Sequence, residues 1–395
     1  LQVFVTESKP NSAPARDEPA AEESWLSDRW AGAGGWICRH HALVSVCCLT
    51  ALVGEALGLS KIKTSVQLLK LFAPDARIIR DYGWLESNFG KLVPMELVLR
   101  IPPSMQEEQA DNAGLPLNLL ERVEAVARIN HVVRQTLGPP GLDVVGSTTA
   151  INTFLKPLPA VSNGWDPIRS QYLRDLSAGR EDLLISDYVR LEQQGPYEDS
   201  ELWRISLRVG AVSDVDYGQF IKTLRTVVEP VLRAYDTRDE ILAKLAGDPG
   251  LIATKKPLIV MMGAAQPESF YETEFIDANP QEDLSDEQRI MTRQIYLATL
   301  KELLSGERIR SPLWVDPDST DRPVPMGEDT WNRVVDRSDL LVWVGDQPAP
   351  AKELSGASHV IAGQSILGKS VSHAMLAGTI PEAVGAGALQ VVCTG

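Results

Sequence analysis

Cysteine is scarce in this chain of 395 residues. Cys38, Cys47, Cys48 and Cys393 are too few and too unevenly placed for a disulfide scaffold. No Cys-x-x-Cys pair and no Cys/His ligand spacing occurs, so no metal site is expected. The five histidines, His40, His41, His131, His359 and His373, form no motif. Gly-x-Ser-x-Gly is missing, and no histidine is tied by sequence to an acid. No catalytic residue and no cofactor is therefore nominated, and the chain is not read as an enzyme. A basic cluster is lacking as well: the net charge is −15, which disfavours nucleic acid as a partner.

What is present is one long apolar run. Residues 42–60 read ALVSVCCLTALVGEALGLS, with Glu55 as the only charge. As a helix these residues span about 28 Å, close to the thickness of a hydrocarbon core. A signal peptide is the rival reading, but the run starts far from the first residue and no Ala-x-Ala site follows. A buried core helix is the other alternative, because the wholly uncharged part ends at Gly54. The membrane helix is preferred on length. Glu55 sits where its carboxylate can snorkel to the interface. Arg29 and Arg39 before the run and Lys61, Lys63 and Lys70 after it leave its direction open. Residues 1–41 are rich in Ala, Pro, Ser, Asp and Glu over most of their length and are expected to form a disordered tail.

Beyond the run, Met95, Leu97, Leu99 and Ile101 alternate with Glu96, Val98 and Arg100, the period of a half-buried strand. Pro116 marks a helix start, and Leu119, Leu120, Val123, Val126, Ala127 and Val133 keep one helical face to about residue 135. A second strand is expected at 142–147, and helices at 168–176 and 182–191. Residues 202–209, LWRISLRV, form the clearest strand. Asp216 and Gln219 suggest a capping box for a helix over 216–235, kinked at Pro230. A last strand at 389–394 would complete a βαββαβ unit.

The residues flanking this pattern resemble those of RND-superfamily exporters, in the bacterial branch that includes hopanoid- and lipid-type transporters and the MMPL proteins. They are Thr64, Ser65 and Leu68; Pro74, Asp75, Asp81, Tyr82, Trp84, Leu85 and Glu86; then Gly90, Leu92, Val93, Pro94 and Glu96. Leu202, Trp203, Arg204, Ile205 and Ser206 continue it, with Asp216, Tyr217, Gly218 and Phe220, and finally Thr394 and Gly395. The resemblance covers about half the chain. It implies an α+β fold: a transmembrane helix at 42–60 and a ferredoxin-like porter domain at 61–235 and 387–395. It also implies a proton-driven exporter of a hydrophobic or lipidic substrate in the bacterial inner membrane. The tail would lie in the cytoplasm and residues after 60 in the periplasm, with a homo-oligomer possible. Leu1 is no initiator and Gly395 closes a strand-like run, so a piece of a longer protein is expected, with the proton relay outside it.

Residues 236–386 depart from the family. Strands at 257–262, 312–315, 339–344 and 358–361 alternate with helices at 285–304, 329–336 and 365–377, the pattern of a small α/β domain with a mainly parallel sheet. It is read as an insertion, a separate body whose deletion would spare the porter sheet. Within it Gly363, Gly368, Lys369 and Ser370 fit G-x-x-x-x-G-K-[ST], but late in the domain, where a phosphate-binding loop is not expected. An α/β nucleotide-binding module is one alternative function, and a membrane-anchored ligand sensor another. Asp316, Asp318 and Asp321 cluster without the Gly-centred loop and distal Glu of a calcium site. Asp81, Tyr82, Trp84 and Glu86 either line a substrate path or, as the preferred reading, pack their helix on the porter sheet.

Overall fold

The computed structural model describes residues 24–59, 72–73, 75–109, 116–161, 165–210, 217–246, 257–275, 286–305, 312–315, 337–345, 360–362 and 390–394. The chain divides into two compact units, Leu1–Val66 and Gln67–Gly395.

The first unit holds α1 (Ser24–Arg39) and α2 (His41–Leu59). The expected disordered tail is thus helical from Ser24 onward. Leu26, Trp30, Ala33 and Ile37 recur at helical spacing, a periodicity that the polar composition of the first residues hides. The apolar run forms α2 within one residue of its expected ends. Even so, no single helix among the described residues is long and apolar enough to cross a membrane. By length and composition Gly32–Arg39 and His41–Glu55 meet that requirement only as a pair, bent by 87°. Leu43, Val46, Leu49 and Leu52 of α2 are exposed.

The second unit opens with α3 (Arg77–Phe89), which buries none of its residues. The packing expected for Tyr82 and Trp84 does not occur. Gly90, at φ 84°, ends α3 in a conformation that favours glycine and passes the chain to β1 (Val93–Ile101). Met95, Leu97, Leu99 and Ile101 are buried there, as their alternation requires.

The helix that follows, α4 (Leu119–Leu137), starts later than Pro116. Asn118 caps it: its Oδ1 accepts from the Glu121 amide at 3.0 Å, and the Glu121 carboxylate accepts from the Asn118 amide at 2.8 Å. After α4 the chain doubles back tightly. The Gly141 amide donates to the Gly138 carbonyl and the Leu142 amide to the Thr136 carbonyl. A Cβ at Gly141 would collide with the Thr136 carbonyl oxygen. This turn takes up residues 138–143, so β2 runs Val145–Ala150, three residues beyond its expected start.

Two short helices follow, α5 (Pro167–Ala178) and α6 (Arg180–Ile185), then β3 (Val189–Leu191) and β4 (Glu201–Val209). The helix expected through residue 191 stops short. Instead β3 pairs with β4, Val189 opposite Trp203, because an open strand edge satisfies backbone groups that a frayed helix end would leave bare. Next, α7 (Tyr217–Ala246) runs unbroken past Pro230. The strands β1, β2 and β4 join β9 (Gln390–Thr394) in one antiparallel sheet of order β2-β4-β1-β9, with β3 attached to β4. Leu97 pairs with Ile205 on one side and Cys393 on the other. Side chains of α4 and α7 form one core with β1, β2 and β4.

Between α7 and β9 lie β5 (Ile259–Met262), α8 (Asp286–Leu303), β6 (Leu313–Val315), β7 (Leu340–Trp343) and β8 (Val360–Ala362). The four strands pair in parallel in the order β6-β5-β7-β8. Every residue of β5 and β7 is buried, as the continuous apolar runs of a covered parallel sheet demand. The helices expected at 329–336 and 365–377 lie outside the described residues, as does the Asp216 cap.

The boundary drawn at 235/236 falls inside α7. Ile241, Leu242 and Leu245 of α7 pack with Tyr296, Leu297 and Leu300 of α8 beneath the parallel sheet. Phe270, Phe275, Met291 and Ile295 reach the other way and join the antiparallel layer's core. The two sheets share a helix pair and stand in one unit, in place of the separate body that the insertion reading expects. A 30-residue amphipathic helix is longer than one sheet needs and leaves a face for the second.

Candidate functional site

The junction of the two layers carries the densest buried charge. Most of α4 is buried, including polar residues on the side away from the antiparallel sheet. Arg128 is 2% exposed. Its Nη1 donates to the Tyr235 hydroxyl of α7 at 2.8 Å, and Nε and Nη2 both reach Glu302 of α8 at 3.4 Å. Glu124, one turn earlier on α4, lies 3.5 Å from Arg128 and 2.6 Å from Arg169 of α5. Glu302 also accepts from the Phe270 amide at 3.1 Å, so one carboxylate ties α8, α4 and the 267–275 segment together. Lys301 donates to the Pro267 carbonyl at 2.7 Å.

These contacts set the protonation states. Burial opposes the charge on Arg128, but Tyr235, Glu124, Tyr271 and Glu302 outweigh it and hold its pKa well above the ordinary value. Burial pushes the Tyr235 hydroxyl up to about 12, so it stays neutral and accepts from Arg128. Beside this cluster His131 packs its ring against Phe270 and Tyr271, at 5.7 and 5.0 Å between centroids. Burial, then Arg134, lowers its pKa, which keeps the imidazole neutral at pH 7.

Above the charges opens a cleft of about 410 Å³. Leu158, Pro159, Ala160 and Val161 form an apolar wall; Arg128, Glu124, Lys301 and Glu302 form a polar floor. A second hollow of about 320 Å³ lies beside it, bounded by Asn130, His131, Arg134 and Asn152, with Leu158 and Tyr271 common to both. The arrangement offers an apolar flank beside fixed opposite charges, which suits an amphipathic molecule. Ser269 of the cleft lining donates through its hydroxyl to Glu302 at 3.5 Å. Among the described residues no group of three or more His, Cys, Asp or Glu side chains could hold a metal.

A second buried set braces the N-terminal end of α4. Arg122 is fully buried and donates twice to Glu108, at 2.7 Å each, while lying 3.3 Å from Glu201. Glu201 accepts in turn from Trp203 Nε1 at 3.0 Å and Arg180 at 3.2 Å.

The residues singled out in the sequence stand elsewhere. Asp81, Tyr82, Trp84 and Glu86 are on α3 and do not line the cleft. Gly363–Ser370 and the Asp316, Asp318 and Asp321 cluster lie outside the described residues. Sequence reasoning missed Arg128, Glu124, Tyr235 and Glu302. One signal was available: Glu124 and Arg128 are spaced i, i+4 on a helix. Comparison with models of known families, with characterised proteins and with solved structures finds no match to this chain.

Proposed function

We propose that this chain is the anchoring and porter part of an RND-type exporter, moving a hydrophobic or lipidic substrate from the bacterial inner membrane. In this reading α2 holds the chain in the bilayer and residues after 60 are periplasmic. The observation that carries it is the path of β9. It arrives after the whole parallel sheet and pairs antiparallel with β1, giving the order β2-β4-β1-β9. With α4 and α7 as crossovers, that order reads as a ferredoxin-like βαββαβ unit, the plan the family resemblance leads one to expect. The apolar α2 before it and the amphipathic character of the junction cleft are consistent with such a substrate.

The test is photocrosslinking in membranes that contain the full-length protein. A lipid analogue with a photoreactive acyl chain should label peptides of the antiparallel layer or the cleft wall at 158–161. It should also be competed by unlabelled lipid. Labelling confined to α1 and α2 would remove the porter reading and leave a membrane-anchored protein.

One observation favours a second reading, nucleotide binding. The strand β8 belongs to a parallel sheet and ends at Ala362, immediately before the Gly363–Ser370 sequence. On the exporter reading Lys369→Ala leaves any ATP affinity unchanged in a filter-binding or calorimetric titration. Micromolar affinity lost with that substitution would establish the nucleotide site instead.

A further inference from the structure

The helix α3 takes no part in either sheet's core, yet it is strongly two-sided. Ile78, Tyr82, Leu85 and Phe89 follow the spacing i, i+4, i+7, i+11 and so form one stripe, and all four are exposed. Phe89 is 72% exposed, and Trp84, 60% exposed, packs its ring edge-on against it at 6.0 Å. Arg77, Arg80, Asp81 and Asn88 lie off the stripe, with Arg77 and Asp81 paired at 3.4 Å. A soluble surface helix would turn such a stripe inward.

Two facts identify what covers it. The first is position: α3 follows the apolar α2 in the chain, and three residues separate it from β1. The second is charge. In a protein of net charge −15, residues 61–80 hold Lys61, Lys63, Lys70, Arg77 and Arg80 against the single acid Asp75. A second copy of the chain would set this basic stretch against itself. An anionic lipid surface complements both the charge and the stripe, and tryptophan and tyrosine favour the headgroup level.

We infer that α3 lies along the bilayer surface, its Ile78–Tyr82–Leu85–Phe89 stripe sunk to the headgroup–acyl boundary of an anionic membrane, with Arg77 on the helix flank toward the phosphates and Arg80 on the water side. α3 then acts as a paddle that fixes the height and tilt of the antiparallel sheet over the membrane. The inference rests on the anchoring half of the proposed function and is independent of export.

Spin-label accessibility tests it on the full chain in nanodiscs containing phosphatidylglycerol. Cys38, Cys47, Cys48 and Cys393 are first replaced by serine, and single cysteines are placed in turn at residues 77–89. A further label at Leu49 reports on α2. Collisions with oxygen should exceed those with a water-soluble nickel complex several-fold at residues 78, 82, 85 and 89. The order should reverse at residues 80 and 87, a period of 3.6. Low accessibility to both reagents along the stripe means a protein partner covers it and overturns the inference. Nickel access all round means water covers it and overturns the inference equally. If the Leu49 label is lipid-exposed in either case, only the paddle has failed; if it is not, the anchoring reading falls with it.

Discussion

Arg128 is the residue on which the junction depends. It is buried with two carboxylates whose charges it compensates, on two different elements. Removing one member of such a set leaves buried charge unpaired, which costs about 3–5 kcal/mol. Arg128→Ala is therefore expected to lose that much in urea denaturation. Arg134→Ala, on the exposed side of the same helix, should lose under about 1 kcal/mol. Equal losses would show that the cluster contributes no more than a surface residue.

Asp236, on α7, provides a pH dependence. Burial raises its pKa to about 6, with Arg233 lowering it and Asp239 raising it. The carboxyl's folded pKa exceeds its unfolded value of 3.8, so the folded state holds the proton longer. Its contribution to stability is present below about pH 4 and lost as pH rises through about 6. Asp236→Asn should remove that fall and stabilise the protein at pH 8 by up to about 3 kcal/mol, with little change at pH 4. Denaturation midpoints at the two pH values check both the sign and the window.

At the scale of elements, α4 shows how local chemistry and packing divide the work. The Asn118–Glu121 capping box is local, and Asn118→Ala should cost about 1 kcal/mol by denaturant titration. Its far end depends on the turn at Gly141, where a side chain has no room against Thr136. Gly141→Ala is expected to cost more than the cap does. Comparing the two midpoints decides whether turn or cap matters more to α4. The alternating strands β1 and β4 were legible from their pattern, because burial on one face imposes the period of two; Arg100, buried beside Glu192, is the exception in β1. The segment after α6 was not: its helix-compatible residues become β3 only because β4 presents a free edge there. Propensity is weak over three residues, and a neighbouring backbone overrides it.

For the molecule as a whole, the shared α7–α8 pair changes what the insertion means. Deleting residues 236–386 removes a third of α7, and it takes Phe270, Phe275, Met291 and Ile295 out of the antiparallel layer's core. Each such side chain contributes about 1.5–3 kcal/mol by burial, so the remainder should lose its cooperative thermal transition. A sharp melt in the deletion variant would restore the view of two independent bodies. Topology is tested apart from folding. An alkaline phosphatase fused after Gly90 should be active and a β-galactosidase there inactive, with the opposite pattern overturning a periplasmic position.

The sequence by itself determined the α+β class, the period and place of β1 and β4, the apolar run of α2 and the parallel strands β5 to β8. Each follows from hydrophobic periodicity or length, which are properties of neighbours along the chain. The basic stretch before α3 and the stripe on it were equally open to reading. The return of the last strand to the antiparallel sheet was expected from the βαββαβ order, but only the tertiary structure decided that Arg128, Glu124, Tyr235 and Glu302 meet, that α7 serves two sheets, and that β1 is the edge on which β9 pairs. Those contacts join residues up to about three hundred positions apart. Pairing at that distance depends on which strand edge and which helix face remain open once the local elements have formed, and no window of sequence contains that information.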